Sequence, residues 1–274
     1  QKYLPNAKLI LQRGYQKLFA PVAAACADFK TLIMVPHGTL HYFPLHALFD
    51  GNQYLIEKYQ ISYLPASSFL QVYQSQTTKG KGAFVLGHSY GGQLPNTISE
   101  ARTVSKLLST TPHLETAATK NNIEIHATHS QILHLAAHAT FHQENPLFSG
   151  VVLHGKDWLT TLDIFNMQLN ASLVTLSACE TGRTVVGGGD ELAGIMRALL
   201  ASGAASVILG LWAVEDDSTE ILMEEFYSRL VQKQQRKDVS LQEAQLFILQ
   251  HKNKLYHHPF FWAPFFLVGA AGKI

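Results

Sequence analysis

Short runs of apolar residues recur along the chain and predict buried β-strands. They are TLIMVP near the beginning and then AFVLG, ILHLAAH, GVVLHG, SLVTLSAC, ASVILGLW and FFLVGA. Several runs are apolar along their whole length instead of alternating with polar residues, which is typical of strands covered on both faces. The pattern therefore predicts a sheet that lies between two other layers.

Between the strands, apolar residues recur three and four positions apart and predict amphipathic helices. The chain opens with helical spacing, and four later helices are predicted in TISEARTVSKLL, DELAGIMRALLASG, DSTEILMEEFYSRLVQK and SLQEAQLFILQHK. The first of these four begins at Thr97, where TISE has the spacing of a capping box. The second ends at Gly203, a residue type that often stops a helix in a left-handed conformation. Strands that alternate with helices predict an α/β fold with three layers and a mainly parallel central sheet.

Three other segments have weaker patterns. GTLHYFPLHALF predicts a turn with short extended pieces, and YLIEKYQISYLP predicts a β-hairpin. The charged segment VQKQQRKD predicts an exposed connection.

Composition narrows the class of protein. The chain has 274 residues, of which 47% are hydrophobic and 15% charged, so it can bury a full core. A net charge of +1 without a block of Lys or Arg gives no reason to expect nucleic acid or a membrane surface as a direct partner. The apolar run from Phe260 is 12 residues long, against roughly 20 for a membrane span, and we interpret it as a buried strand.

Two cysteines, Cys26 and Cys179, lie far apart in the sequence. Spacing of this kind predicts no disulfide framework and fits a reducing, cytoplasmic compartment. Because the chain begins with Gln1 and its first residues lack the layout of a signal peptide, we expect it to be an excerpt of a longer protein.

The segment GHSYG matches G-x-S-x-G, the turn that carries the nucleophile of α/β-hydrolases. That turn needs a helix directly behind the serine, whereas the next predicted helix begins several residues after Ser89. We therefore favour a glycine-rich strand-to-loop turn here, and a serine hydrolase that uses Ser89 stays as a less favoured alternative.

A second pair of residues is more informative. The apolar run ILHLAAH ends at His138, and the run SLVTLSAC ends at Cys179. In a parallel sheet the carboxyl ends of strands meet at one edge, so neighbouring strands would bring the two side chains together. An imidazole can activate a thiol as a nucleophile and protonate a leaving amine.

Several longer segments together resemble the CHAT domain, a caspase-like protease domain found fused to tetratricopeptide repeats, mostly in bacteria. They are LIMVPHGTLHYFPLHAL, QLPNTISEARTVSKLL, ILHLAAHATF, LVTLSACETG, GGGDELAGIMRALLASGAASVILGLWAVEDDST, LMEEFYSRL and HHPFFWAPFFLVG. The resemblance implies the caspase-like α/β/α fold of the caspase and separase clan, with residues 1–80 as an N-terminal lobe and 81–274 as the catalytic lobe. It also implies a His138–Cys179 dyad and places the GHSYGG segment in a variable loop.

The resemblance extends to residues around the dyad. The family usually has Gly after the histidine, whereas this chain has Ala139, whose backbone N–H can still serve in an oxyanion hole with that of Cys179. In the related separases an acidic residue in the region of Asp216 helps to bind a basic P1 side chain. Asp216 is therefore a candidate for the substrate pocket and Trp212 for its wall, although helix capping by Asp216 and core packing by Trp212 are the simpler interpretations.

Two further patterns suggest other chemistry. His134, His138 and His142 have the spacing of helical zinc ligands, but the segment is a predicted strand, so we expect His134 to be a packed residue and expect no metal or other cofactor. TVVGGGDELAG lacks the Lys-Ser/Thr of a phosphate-binding loop and is interpreted as a mobile loop that could be regulatory, with Asp190 and Glu191 opening the next helix.

These patterns together predict a cysteine endopeptidase that cleaves a protein substrate. The resemblance implies regulation through an N-terminal tetratricopeptide-repeat region or an activator protein outside this chain, and some members of the family act in antiphage defence. The main alternative is a non-catalytic interaction module with a caspase-like scaffold. P1 specificity, substrate, activating signal and oligomeric state stay open.

Overall fold

The computed structural model describes residues 3–71, 78–140, 142, 144–177, 190–212, 214 and 217–274. Its α-helices are α1 (Leu4–Leu18), α2 (Ala23–Cys26), α3 (Leu55–Lys58), α4 (Pro95–Leu107), α5 (Lys120–Ala127), α6 (Thr161–Asn166), α7 (Asp190–Ala201), α8 (Asp217–Tyr227), α9 (Lys237–Leu249) and α10 (Pro259–Trp262). Its strands are β1 (Thr31–Met34), β2 (Gln60–Tyr63), β3 (Ala83–Gly87), β4 (His113–Leu114), β5 (Ile132–Ala136), β6 (Ala139–Thr140), β7 (Gly150–Val152), β8 (Trp158–Thr160), β9 (Leu173–Leu176), β10 (Ser206–Gly210) and β11 (Phe265–Gly269).

Eight strands form the central sheet in the order β1-β2-β11-β10-β9-β5-β3-β4. All neighbouring pairs are parallel except β10 and β11, so β1, β2 and β11 run in one direction and the other five strands run in the opposite direction. A separate three-stranded antiparallel sheet, β6-β7-β8, follows β5. The mainly parallel sheet predicted from the sequence is confirmed.

Each face of the sheet carries its own hydrophobic core, because successive side chains of a strand point to opposite faces. In β3, Phe84 and Leu86 belong to the core that holds residues of α5, α6 and α7, whereas Val85 belongs to the core that holds residues of α4, α8 and α9. All five residues of β5, β10 and β11 are buried. The three-layer arrangement predicted from uninterrupted apolar runs is therefore confirmed, with helices on both faces.

Two predictions in the first 80 residues were wrong. YLIEKYQISYLP is not a hairpin: Leu55–Lys58 is helix α3, and β2 then pairs with β1 in parallel. The segment GTLHYFPLHALF contains short 3-10 helices at Gly38–Tyr42 and Leu45–Ala47 instead of extended pieces. Strands β1 and β2 join the same sheet as the strands after residue 81, so the division into two lobes stays a prediction.

Helix boundaries differ from the sequence pattern in two places. Helix α4 begins at Pro95, two residues before the predicted cap. Thr97 does not cap the helix, because its hydroxyl is directed at the carbonyl oxygens of Leu94 and His88 and does not accept from a backbone N–H. Helix α9 begins at Lys237, inside the predicted exposed connection, and Lys237 and Asp238 are both buried. The predicted stop after α7 is confirmed by Gly203, which has φ +113°.

Glu100, expected to cap α4, instead belongs to a buried polar network. Its Oε1 lies 3.0 Å from Nε2 of His134 on β5, which is close enough for an ion pair. The geometry of the two groups does not meet the requirements of a hydrogen bond. His134 Nδ1 lies 3.2 Å from the hydroxyl of Tyr227 on α8, and that hydroxyl donates to Oγ1 of Thr175 on β9 over 2.8 Å. All four residues are buried, so the network joins β5 and β9 to two helices of one layer.

We expect Glu100→Ala to lower the free energy of unfolding by about 3 kcal/mol, because it leaves His134 buried beside a cavity without its acidic partner. Urea denaturation of the purified domain measures this change. Glu124→Ala, at an exposed position of α5, is the matched control and should change stability by less than about 0.5 kcal/mol. Equal effects of the two substitutions would contradict the importance of the network.

Candidate active site

The two dyad positions predicted from the sequence follow neighbouring strands. Strands β5 and β9 pair in parallel, with Leu135 opposite Leu176. His138 comes three residues after Leu135, and Cys179 comes three residues after Leu176 in the sequence. The condition that the strands be neighbours with the same direction is therefore met, while Cys179 itself lies outside the described residues.

His138 lies between the end of β5 and the start of β6, with 9% of its surface exposed. Its carbonyl oxygen accepts a hydrogen bond of 2.8 Å from the N–H of Val152, at the end of β7. The ring of Tyr90 lies against the imidazole, with 5.2 Å between the ring centroids and 34° between the planes. The backbone bond and the aromatic contact together restrict where this imidazole can lie.

Ala139, the candidate oxyanion residue, is the first residue of β6 and lies opposite Val151 of β7. Hydrogen-bonded and non-hydrogen-bonded pairs alternate along antiparallel strands. Because the His138–Val152 pair is hydrogen-bonded, the Ala139–Val151 pair is not, and the N–H of Ala139 is directed away from β7. That direction is compatible with its donating to a substrate oxygen.

Ser89 is held in the loop that follows β3. Its Oγ accepts a hydrogen bond of 3.0 Å from the N–H of Gly92, and its hydroxyl donates to Glu115. His88 Nδ1 lies 3.0 Å from the same carboxylate. Burial acts to raise the pKa of Glu115, but the bonds from Ser89 and His88 outweigh it and lower that pKa. Helix α4 begins only at Pro95, so Ser89 lacks the helix that a nucleophile elbow places behind its serine.

Tyr90 is a residue that our sequence reasoning missed. Its φ of +52° is left-handed, and Gly91 and Gly92 continue in the same region with φ +69° and +85°. Such a backbone costs a non-glycine residue roughly 1–2 kcal/mol, and strained residues cluster at functional sites. Tyr90 is 42% exposed although its ring contacts His138. The sequence predicted a glycine-rich turn here but gave no sign that the ring of Tyr90 would contact His138.

Trp212 follows β10 at the same edge of the sheet as the end of β5, since β10, β9 and β5 run in one direction. Its indole Nε1 donates to the carbonyl of Phe260 over 2.9 Å, and the two rings stack with centroids 6.4 Å apart. The side chain is only partly buried, so one part of the indole contacts α10 and another part is accessible. Asp216, the candidate for the substrate pocket, lies outside the described residues.

The histidines with zinc-like spacing do not converge. His134 is a strand residue bonded within the core, as expected, whereas His142 lies beside the ring of Trp158, 5.3 Å away between centroids. Within the part of the chain that the structure describes, no group of three His, Cys, Asp or Glu side chains is arranged to hold a metal ion.

The glycine-rich segment after Cys179 is outside the described residues up to Gly189. The next helix, α7, begins at Asp190 as the sequence predicts. Among the described helices, none is both long enough and apolar enough to cross a membrane.

Comparison with known proteins assigns the family. The sequence profile of the CHAT domain matches residues 9–270. The chain belongs to the CHAT domain family. Tetratricopeptide repeat protein 28 of Mus musculus is 26% identical to it and that of Homo sapiens is 25% identical, in each case over 98% of this chain. This CHAT domain spans only 13% of the length of either relative.

Solved structures show that the CHAT domain has a caspase-like fold. The Arg-specific cysteine proteinase gingipain R superimposes with a TM-score of 0.63 at 12% identity, over 98% of this chain and 67% of gingipain. Separase in the Saccharomyces cerevisiae separase–securin complex superimposes with a TM-score of 0.61 at 14% identity, over 88% of this chain and 15% of that one. At such low identity these likenesses establish the architecture of the domain alone.

We expect Ser89→Ala to destabilise the domain by about 1 kcal/mol, since it removes the bonds that Ser89 makes to Gly92 and Glu115. It should also raise the pKa of Glu115, which an NMR titration of that carboxylate measures. The stabilising bond to Glu115 is present above the ordinary pKa of 4.5 and is lost as the pH falls through the lowered value. Ser67→Ala, at an exposed position, is the control.

A serine hydrolase would give a different result. Fluorophosphonate would then label Ser89, and Ser89→Ala would abolish the labelling. Labelling that is lost in Ser89→Ala would contradict our interpretation that Ser89 has only a structural role.

Proposed function

We propose that this CHAT domain is a cysteine endopeptidase whose reacting groups are His138 and Cys179. The observation that supports it best is the parallel pairing of β5 and β9, in which each of the two residues comes three positions after a member of the Leu135–Leu176 pair. Membership of the CHAT family and the caspase-like fold add support, since the structural neighbours include cysteine proteinases.

In the proposed reaction the Cys179 thiolate attacks the carbonyl carbon of a peptide bond, and a carbon–sulfur bond forms. The backbone N–H groups of Ala139 and Cys179 donate to the oxygen that becomes negative. Protonated His138 then transfers its proton to the leaving amine, and the carbon–nitrogen bond breaks. Neutral His138 then takes a proton from a water molecule, whose oxygen attacks the carbonyl carbon of the thioester. The carbon–sulfur bond breaks, the carboxylic acid product leaves, and the Cys179 thiolate and protonated His138 are regenerated.

Tyr90 is the positioning residue of this proposal. Its ring covers one side of the His138 imidazole, and its own backbone is held in a left-handed conformation beside two glycines. Because β5 ends at Ala136, His138 is outside the regular sheet and needs contacts from other segments to fix its ring. Tyr90 supplies such a contact from the loop after β3.

Substrate and regulation follow from the same proposal. A basic P1 side chain would meet the carboxylate of Asp216, with Trp212 as a wall of the pocket. An N-terminal tetratricopeptide-repeat region or an activator protein would control the activity, in keeping with the names of the relatives. A cytoplasmic location and a role in bacterial defence stay predictions from composition and from the family resemblance.

Labelling with a cysteine-directed probe tests the dyad. We expect the full-length protein with its activator to label at Cys179 faster than at Cys26, because only Cys179 would have an imidazole to promote the thiolate. His138→Ala should slow labelling and substrate cleavage by about 100-fold or more, and Cys179→Ala should abolish both. His129→Ala, at an exposed histidine, is the control and should leave both rates unchanged.

Cleavage that persists in Cys179→Ala would refute the proposed nucleophile. Equal labelling of the two cysteines, unaffected by His138→Ala, would instead favour a non-catalytic interaction module with this fold.

Three substitutions of Tyr90 separate its effect on His138 from its effect on folding. Tyr90→Phe keeps the ring and should retain the labelling rate of Cys179 within about twofold. Tyr90→Gly removes both the ring and the backbone strain, so it should be at least as stable as the wild type in urea denaturation and yet react about tenfold more slowly. Tyr90→Ala should react as slowly and be less stable than Tyr90→Gly.

A positioning role also predicts that the pH dependence of labelling changes in Tyr90→Ala and not in Tyr90→Phe. If Tyr90→Gly is stable and fully reactive, Tyr90 has no part in positioning His138.

A further inference from the structure

A cavity lies at the opposite edge of the sheet from His138, where β9 and β10 begin and β2 and β11 end. Its volume is about 460 Å³, within the range of roughly 300–1,000 Å³ that small-molecule sites occupy. Three cationic residues line it, namely Arg236, Lys237 and Lys273. Apolar side chains complete its wall, among them Ile33, Leu64 and Leu70.

Lys237 is the unusual member of this lining, because it is a lysine with only 1% of its surface exposed. Its ammonium donates to the carbonyl oxygen of Ser172 over 3.0 Å and to the Oγ of Ser172 over 3.3 Å. Both acceptors are neutral, and among the described residues no carboxylate lies within ion-pair distance of Lys237 Nζ. Two acceptors leave one of the three ammonium hydrogens without a partner of the described chain.

The carboxylate of Asp238, the next residue in the chain, is already engaged. Its two oxygens accept hydrogen bonds of 3.0 and 2.6 Å from the Arg236 guanidinium, and one of them also accepts from the N–H of Val239. Burial lowers the pKa of Lys237 to about 8, and the charge of Asp238 only partly opposes this. A buried charge without a bonded counter-ion is costly in a protein, so the cavity favours an anion.

The backbone around the cavity favours a carboxylate over a phosphate. Phosphate sites generally use free backbone N–H groups, but the N–H groups of Lys237, Asp238 and Ala270 donate to the carbonyls of Gly272, Ala271 and Ala205. The cavity is lined by both cationic and apolar side chains. We propose that it binds a small carboxylic acid, with the carboxylate on the Lys237 ammonium and a short hydrocarbon body against Leu64 and its apolar neighbours.

Sodium octanoate is a suitable probe for this site. At millimolar concentration it should raise the Tm of the purified domain by about 2–4 °C, whereas octanamide, which has no charge, and inorganic phosphate at equal ionic strength should raise it by less than half as much. Lys237→Met, which keeps an unbranched side chain of similar length without its charge, should lose the octanoate effect. Lys233→Met, at an exposed lysine before α9, should retain it.

A second measurement uses the wild-type protein, so that it does not depend on the folding of Lys237→Met. An amine-acylating reagent is applied at pH 8, and modification of each lysine is measured by mass spectrometry. Octanoate should reduce the acylation of Lys237 at least threefold and leave that of Lys233 unchanged.

The affinity for octanoate should depend on pH in one direction. The charged groups around Lys237 are Arg236, Asp238 and Lys273, and burial of the Lys237 amine lowers its pKa to about 8. Octanoate binding should weaken as the pH rises above about 8. An equal Tm shift in Lys237→Met, an equal effect of octanamide, or no protection of Lys237 from acylation would each overturn the proposal.

Discussion

The parallel pairing of β5 with β9 is the constraint on which the rest of this structure depends. Both strands are buried on both faces, so their register cannot slip by one residue without sending each side chain into the wrong core. The network from Glu100 through His134 and Tyr227 to Thr175 adds a polar restraint on the same two strands. A buried polar network specifies one packing of the core, because its side chains are stabilised only in the packing that brings them into contact with one another. The alignment of the segments that lead to the dyad positions is a consequence of this packing.

The loop after β3 lies at the same edge of the sheet as His138, and it is held there by hydrogen bonds and by its backbone conformation. Ser89 is fixed by hydrogen bonds to Gly92 and Glu115, and the next residue, Tyr90, takes a left-handed backbone that directs its ring onto His138. The motif that suggested a serine nucleophile is thus a turn whose aromatic residue lies at the candidate site. Strain at Tyr90 is tolerated because the neighbouring glycines and the fixed serine determine the path of the chain.

Identity of only 12–14% with gingipain and separase coexists with a shared architecture. Burial explains this combination, since a sheet covered on both faces requires apolar strands of the right length but not particular residues. Chemistry depends on a few residues at the strand ends, and those are not determined by the fold.

The sequence by itself determined most strands, most helices and the three-layer class, because side-chain periodicity and turn residues are local properties. It also indicated His138 and Cys179, since each ends an apolar run. Only the tertiary structure decided that β2 pairs with β1 in parallel instead of forming a hairpin, that Glu100 turns inward to His134, and that Lys237 is buried within a charged segment. The contact of Tyr90 with His138 was decided in the same way. These features depend on partners distant in the chain, and local patterns carry no information about which distant surface will cover a given residue.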